Sequence, residues 1–481
     1  MKKLLAIILS ALMVLSFAAG CTKDNGSGDT NTAAPANNDN TTTPANNDNA
    51  SVGTGDKEVT VWSFTNELRV GALAFVEKNP DVKVNYEYAS DQDGVFESKV
   101  DAAITSGNVP DVVALEAAFV RKYVELPNVL MSIEDLRPAI ADSKNYEFMV
   151  QVGVDFEGTL KALSWQATPG GLVYKRSLAT KYLGTDDPKD IAAMTKDMKA
   201  YEETAAKLKD ASGNTCFVTG CVDEFANAYY SMRKQPWIDL ANNKLVIDPL
   251  MTEMLEVSKR FKDEGYIGTL GMWNDNWSNA INGTLADADG TPRDVFSFFL
   301  PTWGLTYVIP NWAGATQTIG DWGLVPGPLA YSWGGTWAGV MNVAKNPDTA
   351  KELVKFIATD IEHLKKWALG EYTNEYLKNI DPSLPDDVSQ GAGDFLVSRV
   401  ANEQVAPTAP TDLLGGQNSY EVWAPIAENT NQDMLQGTNG LIQRYFNDAI
   451  AGYMTGELST IQEALDTFTD SVKTEMPDLN W

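Results

Sequence analysis

Histidine is almost missing from this chain, with His363 the only one in 481 residues. A Ser-His-Asp or Cys-His catalytic system needs an imidazole beside its nucleophile, and one histidine in an ordinary charged helical stretch does not supply it. Neither an HExxH zinc motif nor a Walker-type phosphate loop occurs. Cysteine is nearly as scarce: Cys21, Cys216 and Cys221 are the only three, and two neighbouring sulfurs without histidine partners make a poor metal set, so no metal and no cofactor is expected. Basic residues are in deficit, 37 Lys and Arg against 65 Asp and Glu. The resulting negative surface repels phosphate backbones, which excludes nucleic acid as a partner and favours a neutral ligand over an anionic one. Beyond the first twenty residues no apolar run approaches the length of a membrane span.

Those first twenty residues carry Lys2 and Lys3, an apolar run from Leu4 to Phe17, and then Ala18-Ala19-Gly20 before Cys21. The run is too short to cross a bilayer, so residues 1–20 read as an export signal. The small-small-Cys ending resembles a bacterial lipoprotein signal, which implies cleavage before Cys21, lipid attachment to its sulfur and a place on the outer face of the bacterial cell membrane. Two acyl chains on one thioether hold a protein stably at a membrane surface, whereas one is marginal. Cleavage removes two of the basic residues and none of the acidic ones, leaving a net charge of −30. Residues 21–56 are polar and repeat the hexapeptide PANNDN at Pro35 and Pro44. They hold too little apolar surface to offset the entropy of ordering and are expected to form a disordered tether. Cys216 and Cys221, five apart with Gly220 between them, are expected to close a small loop disulfide outside the cell, although spacing alone does not give the backbone geometry.

The length implies two large lobes. From Glu58 the chain reads as strand, helix, strand, helix, strand: Glu58 to Phe64, Asn66 to Asn79 with Leu68, Leu73 and Val76 as an apolar stripe, alternating Val82, Val84, Tyr86 and Tyr88, Val95 to Ser106, and Asp111 to Leu115. This order implies parallel pairing with right-handed crossovers, a Rossmann-like α/β lobe whose ligands meet the carboxyl ends of the strands. Trp62, Asn66, Glu67 and Glu116 fall on that rim. Further on, Asp190 to Asp210 reads as one long helix, Val295 to Leu300 as an apolar strand ending at Pro301-Thr302-Trp303, and DADGTPRD from Asp287 as a turn lacking the spaced ligands of a calcium loop.

The stretch GTLKALSWQATPGGLVYKRSL, from Gly158 to Leu178, organises the whole. It reads as a strand ending on Trp165, an irregular crossing over Gln166 to Gly171, and a helix from Tyr174 to Tyr182. A second stretch, YSWGGTWAGVMNVAKNPDTAKELVK from Tyr331, sets an aromatic and a Gly-Gly loop before a strand and an Asn-Pro helix start. Together these resemble the extracellular solute-binding proteins, family 1, that serve carbohydrate ABC importers and are similar to maltose-binding protein. The resemblance covers most of residues 57–480. It implies two Rossmann-like lobes joined by a multi-segment hinge, the type II periplasmic-binding-protein architecture, with residues 57–165 and 301–345 in the first lobe and 166–300 and 346–481 in the second. It also implies capture of a sugar, an oligosaccharide by preference, in the cleft between lobes, delivery to ABC permease subunits, a monomer and no catalysis.

Thirteen tryptophans fit that reading, because an indole buries the C–H faces of a pyranose with little loss of side-chain freedom. By resemblance Trp62, Asn66, Glu67 and Glu116 line the first-lobe rim, Trp165 and Gln166 sit by the crossing, and Trp303, Trp333, Gly334 and Gly335 complete the floor. Arg233 joins them by position as a hydrogen-bonding candidate. Trp237, Trp273, Trp277, Trp312 and Trp322 read as structural, and Tyr229, Tyr230, Tyr331 and Trp337 stay open. The rival class is a secreted glycoside-acting enzyme with Glu67 and Glu116 as its facing carboxylates. A surface adhesin using the same aromatics is the third. Residues 381–417 read as an insertion or loop without assigned function.

Overall fold

The structure, a computed structural model, describes residues 50–91, 94–268, 271–312, 318–382, 384 and 393–481. The expected signal, Cys21 and the tether up to residue 49 lie outside the described residues, as does the side chain of Trp312. In chain order the strands are β1 (Ala50–Val52), β2 (Lys57–Ser63), β3 (Val82–Tyr88), β4 (Val112–Glu116), β5 (Ala162–Ser164), β6 (Pro169–Lys175), β7 (Cys216–Thr219), β8 (Ile238–Asp239), β9 (Lys244–Leu245), β10 (Asp294–Pro301), β11 (Trp322–Val325), β12 (Tyr331–Ser332) and β13 (Thr336–Val340).

They form two α/β lobes. The first is built on a sheet of order β1-β3-β2-β4-β13-β5, in which β2 runs parallel to β3 and β4 while β13 is antiparallel to both neighbours. The Val59, Val61, Val84 and Val112 to Leu115 side chains are fully buried, as expected for strands covered by helices on both faces. The second lobe is built on β11-β6-β10-β7, with β12 also paired to β6. Only three residues, Trp333, Gly334 and Gly335, separate β12 in one sheet from β13 in the other.

Four expectations need correction. Gln166 to Gly171 is not wholly irregular: Pro169–Lys175 is the central strand of the second sheet, and the helix begins at Arg176. Pro169 is tolerated as a first strand residue, and the two glycines serve close packing. A Cβ on Gly170 would stand 2.0 Å from the Tyr331 ring, and one on Gly171 would stand 2.8 Å from the Trp423 ring. The tether ends earlier than residue 56, because Ala50–Val52 pairs antiparallel with β3 at the sheet edge. The long helix from Asp190 is two helices, Pro188–Met194 and Met198–Ser212, broken where the Asp197 carboxylate caps the second through the Ala200 amide at 2.8 Å.

The lobe boundaries also shift. Within 301–345 only β13 joins the first sheet, since β11 and β12 pair with β6. Within 346–481 the helices Pro347–Thr359 and Ile361–Ala368 pack on the first lobe, with Phe356 against Phe75 at 5.5 Å and Lys78 bonded to Asp360 at 3.0 Å. The helices Asn439–Thr455 and Ile461–Glu475 belong to the second, where Phe446 and Phe468 enclose Trp237. Sequence order alone does not show which of two sheets a helix will cover.

Asp111, 3% exposed, fastens the first lobe. Its carboxylate accepts from the Thr60 amide at 2.8 Å and from the Lys345 and Asn346 amides at 2.5 and 3.3 Å. One side chain thus ties β2 to the loop after β13. Asp111→Ala strips three amides of their partner and should lower unfolding free energy by about 2–4 kcal/mol, read as a lower urea midpoint at unchanged slope.

Candidate functional site

Three indoles meet beside the crossing between the two sheets. Trp303 follows β10, Trp333 follows β12, and Trp273 precedes the helix Asp275–Asn282. Trp273 and Trp303 stack at 6.2 Å with planes 17° apart, while Trp333 stands edge-on to Trp303 at 5.1 Å. All three rings are only partly buried. The Trp303 indole N–H donates to the Trp333 carbonyl at 3.0 Å, which locks the platform. Trp333 lies between β12 of the second sheet and β13 of the first, so it sits at the seam between the lobes.

Gly334 and Gly335 are glycines for a reason of space and angle. Both have positive φ, +76° and +112°, and a Cβ on Gly334 would lie 2.7 Å from Trp303 Nε1. Gly334→Ala should therefore push Trp303 off its seat, lowering stability by about 1–3 kcal/mol and shifting tryptophan emission in the native protein. The Gly335 carbonyl accepts from the Ala117 amide at 3.1 Å, which brings Glu116, at the carboxyl end of β4, alongside. The Glu116 carboxylate accepts from the Ala118 amide at 2.6 Å, yet desolvation pushes it up to about 7.

The helix Val222–Met232 runs past this platform and presents Asp223, Asn227 and Ser231, four residues apart and so on one face. At one end the Asp223 carboxylate accepts from the Met272 amide, next to Trp273, and burial raises its pKa. At the other, Ser231 Oγ accepts from the Ser332 amide at 2.9 Å, next to Trp333. The Asn227 side-chain nitrogen between them is buried and unpartnered. Gln432 donates to Ser332 Oγ and keeps its own oxygen unpartnered. The platform is thus edged by donors and acceptors that the protein does not satisfy.

A second cluster lies at the first crossing. The Trp165 indole N–H and the Gln166 amide both donate to Glu67 Oε2, at 3.2 and 2.8 Å. The same Gln166 nitrogen reaches Asp394 Oδ2 at 3.2 Å, where the Trp367 N–H also donates at 2.9 Å. Burial and the neighbouring Asp394 charge raise Glu67 to about 8, and burial raises Asp394 to about 6. No cation is bonded to either carboxylate among the described residues.

The structure therefore brings Trp303, Trp333, Gly334, Gly335 and Glu116 together, and Glu67, Trp165 and Gln166 in a separate network; half-buried Asn66 directly precedes Glu67. Trp62 stands apart with its ring face covered by Lys99 at 4.1 Å, and that Lys99 is paired with Glu87. The charges acting on Glu67 and on Glu116 come from different neighbours, Asp394 for the first and Asp91 with Glu97 for the second. Trp273, read as structural, belongs to the platform; its strand-free, loop setting hid it. Trp237, Trp277 and Trp322 are fully buried, as are Tyr331 and Trp337. Asp394 and the Asp223-Asn227-Ser231 face had no sequence signal beyond helical spacing in the second case. Cys216 and Cys221 are free, buried thiols, so the expected loop disulfide is not formed: Cys216 lies in β7 and Cys221 directly precedes the helix Val222–Met232, on separate elements. Burial pulls the Arg233 guanidinium down to about 10, still charged at neutral pH. Among the described residues no group of three or more potential metal ligands occurs, and no helix is long and apolar enough to cross a membrane.

Comparison with known proteins agrees with this fold. The solved structure of an extracellular solute-binding protein of family 1 superposes with a TM-score of 0.70 at 17% identity, covering 87% of this chain and all of that one. The sugar-binding protein MalE of Xanthomonas citri gives 0.63 at 15% identity, covering 88% and 98%. An ABC-transporter-associated binding protein of B. animalis subsp. lactis, solved with beta-1,6-galactobiose, gives 0.62 at 19% identity, also covering 88% and 98%. No curated protein matches the sequence. The model of the bacterial extracellular solute-binding protein family matches residues 72–374, well over half of the chain. Fold and family match agree, and the chain belongs to the bacterial extracellular solute-binding proteins.

Proposed function

We propose that this protein captures a sugar, an oligosaccharide by preference, between its lobes and hands it to the permease subunits of an ABC importer. The observation that carries the reading is the platform of Trp273, Trp303 and Trp333 edged by unpartnered polar groups. Flat apolar rings with a polar rim complement a pyranose, which is apolar on its faces and hydroxylated around its edge. Proteins of this fold solved with beta-1,6-galactobiose, lacto-N-biose and cycloalternan support the same class of ligand. Binding at the seam contacts both lobes and shifts the population toward the closed form. The protein acts as a lipid-anchored monomer, held by Cys21 on the outer face of the membrane, and leaves its ligand chemically unchanged.

A thermal-shift screen of mono- and oligosaccharides tests this. A ligand at one hundred times its Kd should add about 2.7 kcal/mol, several degrees in Tm for a chain of this size, and chromatography should recover it intact. Shortened products would point instead to a glycoside-acting enzyme. Metabolic labelling with a fatty acid, lost in Cys21→Ser, tests the anchor.

A further inference from the structure

One buried guanidinium in the second lobe has no hydrogen-bond partner for its two terminal nitrogens. Arg233, directly after the helix Val222–Met232, is 3% exposed and lies over the Trp237 ring at 4.5 Å. Its Nε donates to the Tyr230 carbonyl at 3.0 Å, and both terminal nitrogens are buried without a partner. Asp248, the carboxylate whose charge acts on it, is occupied by the amides of Lys234, Gln235 and Leu250 at 2.6, 2.9 and 2.9 Å. A guanidinium stripped of water and left unpaired is costly, so its retention points to a partner that arrives from outside.

Beside it a helix begins. Ile238, adjacent to Trp237, holds the Gln436 side chain through its own N–H and C=O, at 2.9 and 2.8 Å. From Gln436 the chain enters the 17-residue helix Asn439–Thr455, whose start has no side-chain cap and no acid in the first turn. Thr438 Oγ1 and both polar atoms of the Asn439 side chain, a residue 5% exposed, are unpartnered. This start abuts the other lobe: a Cβ on Gly437 would be 3.1 Å from Lys122 Cα, and one on Gly440 would be 3.9 Å from the Ala118 carbonyl. Ala118 is two residues from Glu116, and Gln432 links the same segment to Ser332 beside Trp333. Arg233 is tied to this region from two sides: its neighbour Trp237 adjoins Ile238, which holds Gln436 just ahead of the helix start, and Ser231, two residues before it, holds Ser332 beside Trp333.

We propose that this end of the cleft receives an acidic group, so that the ligand is a sugar acid, a saccharide carrying a uronate-type carboxylate. The inference rests on the sugar-capture reading. The guanidinium fork matches a carboxylate in two parallel hydrogen bonds, and the helix start adds free amides of the right sign. A neutral hydroxyl would satisfy Asn439 and Thr438 but offers the two unpartnered guanidinium nitrogens a single neutral acceptor where a carboxylate offers two charged ones. The chain's overall negative charge does not oppose this, since surface charges are screened over about 8 Å at physiological salt while a buried pair is not.

Calorimetry on the intact protein tests it, with neutral di- and trisaccharides, the uronic acids obtained by oxidising the primary alcohol of the same sugars, and the methyl esters of those acids. At least one acid should bind ten-fold or more tighter than both its neutral parent and its ester. Arg233→Gln should shrink that ratio to within about three-fold, with Arg233→Lys between. The ester comparison needs no variant and so stands even if Arg233→Gln fails to fold. Neutral sugars that bind as tightly as the acids, or an acid preference that survives Arg233→Gln, overturn the inference and leave sugar capture standing. Absence of binding across all three sets overturns both.

Discussion

Glu67→Gln should be more stable than the parent protein at pH 8 and indistinguishable from it near pH 4. Burial and the Asp394 charge hold the Glu67 carboxyl at about 8, far above its ordinary value near 4.5. Between those two values the folded chain binds a proton that the unfolded chain has released. Stability therefore falls as pH rises through that window, and the loss is complete above the folded value. Below pH 4.5 both states are protonated and nothing is lost. Glutamine keeps a carbonyl oxygen for the N–H groups of Trp165 and Gln166, which now meet at Oε2, and it removes the ionisation. Because Glu67 is only half-buried by surface exposure, the gain at pH 8 should be about 2–4 kcal/mol, somewhat less than the full pKa displacement would give. Urea titrations at pH 4, 6 and 8 measure it. Equal slopes of stability against pH in the two proteins would show that the carboxyl ionises freely in the folded state.

Trp333→Ala should cost the larger part of ligand affinity, on the order of a hundred-fold, corresponding to about 3 kcal/mol. The ring stands edge-on to Trp303 on the segment that joins β12 to β13, so its loss removes a stacking surface and loosens the seam at once. Trp333→Phe restores a flat face and should recover about a third to a half of the lost binding energy. The measurement is calorimetric titration with whichever saccharide raises Tm, alongside circular dichroism to establish that each variant is folded. Unchanged affinity in Trp333→Ala would remove the platform from the binding surface.

The first lobe was legible because its elements announce themselves locally. Val82, Val84, Tyr86 and Tyr88 alternate, Leu68, Leu73 and Val76 stripe one helix, and each period matches the element it forms. Trp303 and Trp333 were readable as residues placed at strand ends, with the Gly-Gly pair between sheets beside them. What escaped depended on contacts far along the chain. Pro169 to Gly171 forms a strand because Tyr331 and Trp423, 160 to 250 positions away, press on it. Asp394 meets Gln166 across 228 positions, and no local pattern marks such a pair. Trp62 was well placed at a strand end, but a lysine thirty-seven residues on covers its face. The positions of the tail helices likewise depended on which sheet had an open face.

The placement of β13 has a consequence for how the polypeptide becomes a protein. This strand sits inside the first sheet, pairing Val340 with Val112 and Gly339 with Ala162, so that sheet cannot close until some 340 residues have left the ribosome. Pairings of such long separation form slowly. A chain that lingers unfolded during synthesis is one that a secretion channel can still thread, and the late strand would then act as the latch that sets only on the far side.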